Sequence, residues 1–575
     1  MRLRPVTRDF NQESDMCDLS IFIVGAAGEG IQTIGDVVAR ALLRSGISVF
    51  TTKEYESRIR GGNSSYRIRA SGPNAPRHDA DVLLSLNLEA AAHYENTAST
   101  NCILLGELPP GGQGTPIPFQ ELAREKFGSP LFANSIAAGA LGSAVGLSQE
   151  ILEEAIRERF ARLPADVLQK NIEASQLGHE RASASRSSSS VIAMKSTAST
   201  FTLASVHEII PLAAAAAGCR FMAAYPMSPA TGIMTAFAKD PELGVFVEQV
   251  EDEIAAINMS LGASAAGARA MTATSGGGFA LMTEGLSLAG MTETPLVIVV
   301  AQRPGPATGL PTRTAQEDLN FAIHGGHGEF PRAVLAPSNP QDAADVTFRA
   351  FDLAERYQMP VLVLTDQLLA DSHFSLPDLK IPEQPVSSGL ADPSGVASYQ
   401  RYALTENGIS PRLALGQSEH LVLIDSDEHD ETGHITEDLE ITRPAMVEKR
   451  LEKARRLKGE MALPEPYRTD GARSVLISWG SSRAAVVEAI DLLRADGKPF
   501  GALHFTEVWP LPHLTLPDDV EYWSIEGNAT GQFAHLLQAE WHIRLAGTIG
   551  RYDGMPLDAR SIVAEVVGST SEEVS

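Results

Sequence analysis

The sequence predicts a chain of several α/β domains. Three observations carry that reading. Continuous apolar runs of strand length recur (LSIFIV at 19–24, PLVIVVAQ at 295–302, MPVLVLTDQ at 359–367), and unbroken runs of this kind belong to strands covered on both faces. Between them lie stretches whose apolar residues recur at helical spacing. The length of 575 residues is too great for one core and suits three or four domains of about 150 residues each.

Composition narrows the class. A hydrophobic content of 43% with 21% charged residues is that of a globular protein, and a net charge of −26 argues against nucleic acid or an anionic membrane as partner. No apolar run approaches the roughly 20 residues needed to span a bilayer, and the opening MRLRPVTRDFNQESDM has no signal-peptide core. A cytoplasmic protein is expected. Cys17, Cys102 and Cys219 are too few and too scattered for a disulfide framework, a structural zinc or a four-thiolate iron–sulfur cluster.

The first domain is expected over 19–174. Its opening strand runs into GAAGEGIQ and a helix over 33–45. Gly25, Gly28 and Gly30 occupy a strand-to-helix turn, where free amides and the helix dipole favour an anion. Their spacing, G-x-x-G-x-G, is not that of a dinucleotide fingerprint. The turn is therefore either close packing or a site for another phosphate-bearing ligand. In KEYESRIRGGNSSYRIRAS, 53–71, Arg58, Arg60, Arg67 and Arg69 surround a Gly61–Gly62 turn. A basic hairpin suits phosphates or an acidic partner, and equally a hairpin with charged outer faces. Residues 175–200, Ser- and Ala-rich without a periodic apolar face, read as an extended linker.

The second domain is expected over 201–382. YPMSPATG places the hydroxyls of Ser228 and Thr231 just past a strand end, where open α/β sheets bind ligands. They either bond a substrate carboxylate or cap the next helix. The strand 295–302 delivers Arg303 into RPGPATGLPTRT, where Thr308, Thr312 and Arg313 complete a fork for a carboxylate. His324 and His327 of HGGHGEF read as exposed loop residues. Between these motifs, 247–285 opens with Glu248, Glu251, Asp252 and Glu253 and then turns small and apolar, with Ile254, Ile257 and Leu261 at helical spacing. So much Gly and Ala lets another group approach the backbone closely. Glu253, at the mouth of that helix, is either a functional carboxylate or part of a solvated first turn favoured by the dipole. A strand over 271–274, the turn SGGGF and a second helix from about Phe279 follow.

Residues 383–470 hold few strands. Their acidic run DSDEHDETGHITED, with His429 and His434, reads as a solvated turn, and MVEKRLEKARRLKG as an exposed charged helix. From 471 to 575 the α/β pattern returns in SVLISWGSS, FGALHF and VEYWSIEGNATGQFAHLL, where EGNATGQ offers turn amides.

YPMSPATG, VEDEIAAINMSLGASAAGARAMTATSGGGFALM, AQRPGPATGLPTRTAQEDL and HGEFPR together resemble the alpha subunit of a 2-oxoacid:ferredoxin oxidoreductase. GAAGEGIQ and EYESRIRGGNSSYRI resemble the gamma domain that fused members carry in front. The 2-oxoglutarate branch fits best. Ser228 stands where the YPITP-type motif of the family usually has Thr, and the hydroxyl is kept.

The resemblance implies a gamma-type domain over 19–174, a thiamine diphosphate pyrimidine-binding domain over 201–382 and a transketolase C-terminal-like domain over 471–575. It implies oxidative decarboxylation of 2-oxoglutarate to succinyl-CoA and CO2, with coenzyme A as co-substrate and ferredoxin as electron acceptor. Glu253 would bond the aminopyrimidine ring, with Tyr225, Pro226, Ser275 and Gly276 beside the cofactor. Ser228, Thr231 and Arg303 would hold the C1 carboxylate, and Thr308, Thr312 and Arg313 the distal end. Gly25, Gly28, Gly30, Arg58 and Arg60 would contact coenzyme A or another subunit. The GDG motif with which such enzymes bind the diphosphate through Mg2+ is nowhere in the chain. Mg2+ and a 4Fe-4S cluster are therefore expected on a beta subunit, in a dimer of alpha–beta heterodimers. The same chemistry on pyruvate or branched-chain 2-oxoacids stays open, as does a non-catalytic nucleotide-binding or regulatory protein of this fold.

Overall fold

The computed structural model describes residues 18–56, 62–109, 111, 113–184, 201–383, 385–396 and 398–572. The chain divides into two compact units, one of 1–51, 63–74 and 79–201, the other of 52–62, 75–78 and 202–575.

The first unit is built from β1 (Leu19–Ala26), α1 (Ile31–Arg44), the start of β2 (Val49–Tyr55, which belongs to the second unit from Thr52 on), β3 (Asn63–Ala70), β4 (Ala80–Ser85), α2 (Leu88–His93), β5 (Ala98–Gly106), β6 (Thr115–Pro116), α3 (Phe119–Phe127), α4 (Ala133–Ala144), α5 (Gln149–Arg159) and α6 (Ala165–Ala184). Its strands lie in the order β6-β5-β4-β1-β3-β2, with β1 parallel to β4 and antiparallel to β3. The helices α4 and α6 touch backbone to backbone. A Cβ on Gly139 would stand 1.9 Å from the Ser175 carbonyl, and one on Gly178 1.9 Å from that of Ile136. That contact corrects the expected linker: its first part, through Ala184, is helical. Within the expected linker the buried residues of α6 (Ser175, Gly178, Ala182) are all small, so the sequence reads as low complexity. The rest of the expected linker lies outside the described residues.

The second unit begins with β7 (Thr202–Ala204), α7 (Val206–Ala216), β8 (Cys219–Ala224), α8 (Thr231–Lys239), β9 (Phe246–Gln249), α9 (Glu253–Ala265), β10 (Arg269–Thr274), α10 (Gly276–Met291), β11 (Leu296–Gln302), α11 (Leu319–His324), β12 (Ala333–Leu335), α12 (Pro340–Tyr357), β13 (Pro360–Asp366), α13 (Gln367–Asp371) and β14 (His373–Leu376). It continues with α14 (Thr442–Glu460), β15 (Glu465–Tyr467), β16 (Ser474–Trp479), α15 (Arg483–Ala495), β17 (Phe500–Phe505), β18 (Glu507–Trp509), β19 (Glu521–Glu526), α16 (Gln532–Trp541), β20 (Gly547–Gly550) and α17 (Ala559–Glu572). One sheet runs β18-β12-β13-β11-β10-β8-β9, parallel except where β18 pairs antiparallel with β12. A second runs β15-β17-β16-β19-β20. One apolar cluster joins them, from Phe279, Met282 and Ile298 to Trp479, Phe505 and Phe533.

Two expectations about 383–470 are corrected by burial. The helix α14 is not exposed: Met446, Lys449, Arg450, Lys453 and Leu457 form its buried face. Lys449 Nζ meets Glu293 Oε1 at 2.5 Å and Lys453 Nζ meets Oε2 at 2.6 Å, while Arg401 donates to the Glu293 carbonyl at 2.7 Å. A helix whose inward stripe contains two lysines looks solvated until their common carboxylate is found. His429 is also buried, its ring 3.8 Å from that of Tyr402, whereas His434 is exposed as expected.

In the turn EGNATGQ the amides are already engaged, those of Thr530, Gly531 and Gln532 donating to Asn528 Oδ1.

Candidate active site

The parallel register brings five strand ends to one edge. Ala224 lies opposite Gln249, Thr274 opposite Val300, and Gln302 opposite Asp366. The loops that follow β8, β9, β10, β11 and β13 therefore emerge together at the carboxyl edge, the place where α/β sheets bind ligands.

Two adjacent acids at the start of α9 have separate roles. Asp252 is the N-cap, its side chain accepting from the Ala255 amide at 2.8 Å. That contact meets the need of the helix terminus. Glu253, the first helical residue, turns inward and is only 3% exposed. A Cβ on Gly278 would stand 2.5 Å from Glu253 Oε1. That oxygen is buried and has no hydrogen-bond partner among the described residues. Burial pushes the carboxyl above its ordinary value, and the neighbouring Asp252 charge adds to the rise. Glu253 is thus a buried carboxyl poised to hold a proton, and it is set apart from the capping role.

The helix α10 starts at Gly276, three residues before the position expected from sequence. Its first turn is Gly276–Gly277–Gly278, and it has no side-chain cap. Its N-cap Ser275 is fully buried, with an Oγ lacking a partner among the described residues. The first amides of a helix have no intrahelical acceptor. A buried hydroxyl without a partner among the described residues therefore stands beside these amides.

On the adjoining side, Arg303 Nη1 donates to the Ser228 carbonyl at 2.6 Å, tying the loop after β11 to the loop after β8. Thr231 is the first residue of α8 and is half-buried, as is Pro226, while Tyr225 is exposed. The Thr274 hydroxyl reaches Met227 Sδ at 3.9 Å, joining this loop to β10. Thr308 lies on an exposed stretch. Thr312 and Arg313 are engaged elsewhere in the unit: Thr312 Oγ1 donates to the Tyr55 carbonyl at 2.9 Å, and Arg313 pairs with Glu54.

Sequence reasoning missed Asp318. Its carboxyl abuts α10, a Cβ on Gly276 standing 2.5 Å from Oδ2, and that oxygen has no partner among the described residues. Burial raises it to about 6, the Glu317 charge adds to the rise, and Arg303 partly offsets it. An Asp ahead of a short helix reads as a cap in sequence. Here it caps nothing.

In the first unit, the glycine turn is filled from within. Glu29 Oε2 accepts from the Ala26 amide at 2.8 Å and from Asn87 Nδ2 at 2.7 Å, and a Cβ on Gly30 would strike Asn134. Gly28 and Gly30 both have positive φ, at 95° and 88°. Arg69 is buried against Asp18, and Arg67 lies over the Phe22 ring. Arg58 and Arg60 lie outside the described residues. Among the described residues, no group of three or more His, Cys, Asp or Glu could hold a metal, and no helix is long and apolar enough to cross a membrane.

Comparison with known proteins identifies the family. Residues 212–449 match the family model described as pyruvate flavodoxin/ferredoxin oxidoreductase, thiamine diP-binding, and 20–181 match that of pyruvate ferredoxin/flavodoxin oxidoreductase. The chain is 30% identical to 2-oxoacid:ferredoxin oxidoreductase 2, subunit alpha, of Aeropyrum pernix, over 97% of this chain and 99% of that one. It is 36% identical to the 2-oxoglutarate synthase subunit KorA of Methanothermobacter thermautotrophicus, over 52% of this chain and 78% of the relative. The solved 2-oxoglutarate:ferredoxin oxidoreductase of Magnetococcus marinus, with 2-oxoglutarate, coenzyme A and succinyl-CoA bound, superposes with a TM-score of 0.88. That match has 33% identity and covers 96% of this chain and 99% of that one.

Proposed function

Because the chain belongs to the 2-oxoacid:ferredoxin oxidoreductase family, as an alpha subunit, we propose that it carries half of an active site that oxidises 2-oxoglutarate. The products are succinyl-CoA and CO2, and the electrons go to ferredoxin. The observation that carries the reading is Glu253, a buried carboxyl whose Oε1 has no partner among the described residues.

Those residues fit thiamine diphosphate. A carboxyl held above its ordinary value suits a ring nitrogen with which it shares a proton. When bound, that cofactor supplies the electron sink for decarboxylation, and the protein supplies orientation and electrostatics. Glu253 would hold the proton at Oε1 against the aminopyrimidine. The buried Ser275 hydroxyl and the Gly276 amide would face the same ring, with Tyr225 and Pro226 at its edge. Ser228, Thr231 and Arg303 would orient the C1 carboxylate, Arg303 being fixed by its bond to the Ser228 carbonyl. Arg313 is committed to Glu54, so we place the cation for the distal carboxylate on the partner, beside the exposed loop of Thr308.

The partner is a beta subunit, in a cytoplasmic dimer of alpha–beta heterodimers. It carries Mg2+, the diphosphate site and the 4Fe-4S cluster, because the chain has no GDG motif and only three scattered cysteines. Residues 19–174 serve as the gamma-type domain, 201–382 as the pyrimidine-binding domain and 471–575 as the transketolase C-terminal-like domain. The names and bound ligands of the relatives support 2-oxoglutarate over other 2-oxoacids.

The test is a comparison of 2-oxoglutarate, pyruvate and 3-methyl-2-oxobutanoate in the complex with the beta subunit. A site built for a second carboxylate rejects analogues lacking it, so kcat/KM is expected to favour 2-oxoglutarate by at least about a hundredfold. Equal or better use of pyruvate would move the chain to another branch.

A further inference from the structure

Asp318 sits at the head of α11 and accepts nothing from it: its side chain makes no cap bond there. An Asp at this position ordinarily accepts from the second or third helical amide. Its carboxyl is turned instead onto the first turn of α10, with both oxygens within 2.7 Å of where a Cβ on Gly276 would stand. Glycine at 276 is what leaves room for it. The backbone is pinned as well, the Asp318 amide donating to Gln302 Oε1 at 3.0 Å, and Gln302 is the residue before Arg303. Asp318 Oδ2 is buried and lacks a hydrogen-bond partner among the described residues.

The charges around this carboxyl are Glu317 beside it and Arg303 at the end of β11. Glu317 is itself engaged, accepting from the Gly305 amide at 2.9 Å. Glu253 approaches the same α10 turn at Gly278. The charge of Arg303 thus acts on a carboxylate whose backbone is pinned to the neighbouring Gln302 and, with Arg303 assigned to the substrate, on a carboxylate of the 2-oxoacid as well. Two anions beside one guanidinium repel each other, and the cheaper arrangement protonates one of them.

We propose that Asp318 is a positioning residue for the substrate: it balances Arg303 in the free enzyme and takes up a proton when the C1 carboxylate of the 2-oxoacid binds there. The proposal rests on the assignment of Arg303 to that carboxylate. Binding then carries a proton with it. Substrate affinity is full at low pH, where Asp318 is already protonated, and weakens above about pH 6 by up to about tenfold per pH unit, until the carboxyl is ionised in the bound state too.

Two measurements on the alpha–beta complex test this. Calorimetric binding of 2-oxoglutarate without coenzyme A or electron acceptor, between pH 5.5 and 8.5 (roughly the span of the expected titration), should show that slope in the wild type and lose it in Asp318→Asn. A slope absent from the wild type, or unchanged in Asp318→Asn, overturns the proposal. The second measurement follows the 13C resonance of the Asp318 carboxyl, identified by its loss in Asp318→Asn. Its midpoint should rise in Arg303→Gln without substrate, and in the wild type when 2-oxoglutarate is added. No rise in Arg303→Gln overturns the pairing itself. A rise there with no response to 2-oxoglutarate leaves the pairing and overturns the assignment of Arg303 to the substrate, and the proposal with it.

Discussion

The carboxyl of Glu253 fills the space that a side chain at Gly278 would need. A Cβ there would meet Glu253 Oε1 at 2.5 Å and the Thr274 hydroxyl at 2.0 Å. Alanine is otherwise the better helix residue, by about 1 kcal/mol. Gly278→Ala should therefore leave α10 formed, displace Glu253 and lower kcat by about a hundredfold or more, in the range of a lost general acid–base group. Gly277→Ala is the control, since its nearest neighbour is the Ala307 carbonyl at 3.8 Å. Dye reduction by the two variants, with circular dichroism of each, checks the contrast.

Glu253→Gln should separate activity from stability. A carboxyl raised by burial binds its proton more readily in the folded chain than in the unfolded one. It therefore subtracts stability as pH rises through the ordinary carboxylate range and up to its own raised value. The neutral amide removes that loss, so the variant should melt at or above the wild-type temperature at pH 8, with the gap closing in acid. Thermal unfolding of both chains across pH reads the difference.

At the substrate end, Arg303→Lys removes the planar fork and its bond to the Ser228 carbonyl. Lysine offers a point charge, so KM for the 2-oxoacid should rise by about ten- to a hundredfold, with kcat changed less. Ser228→Thr keeps the hydroxyl and should stay within a few-fold of wild type. Steady-state kinetics of the complex decides both.

Glu293 locks α14 to the end of α10. Burial alone would raise this carboxyl, but the ammonium groups of Lys453 and Lys449 prevail and hold it below the usual carboxylate range. Glu293→Gln leaves two lysines buried without their counter-charge and should destabilise the second unit by about 3–5 kcal/mol. In the wild type the contribution is present above the ordinary carboxylate range and is lost as pH falls below it. Denaturant unfolding of variant and wild type, at neutral and acid pH, tests the loss.

Much of this was legible in the sequence. Parallel strands announce themselves by unbroken apolar runs, so β11 and β13 were placed to within a residue or two. Motifs just past strand ends pointed to Ser228, Glu253 and Arg303. What stayed hidden depends on partners distant in the chain. Glu253 and Asp252 are chemically alike and adjacent, and only burial assigns the cap to one and the open carboxyl to the other. Lys449 and Lys453 look solvated without Glu293, which lies far upstream in the chain. Asp318 passes for a cap because nothing local reveals Gly276. The partners of Thr312 and Arg313 stay hidden for the same reason, Tyr55 and Glu54 being remote in sequence.

The central claim is that this chain holds half of a thiamine diphosphate site. It is tested most directly by viologen reduction with 2-oxoglutarate and coenzyme A, measured for the purified chain and for its complex with the beta subunit. No reduction is expected of the chain alone, and steady turnover of the complex. Turnover by the chain alone, or a complex that stays silent with every 2-oxoacid, would contradict it.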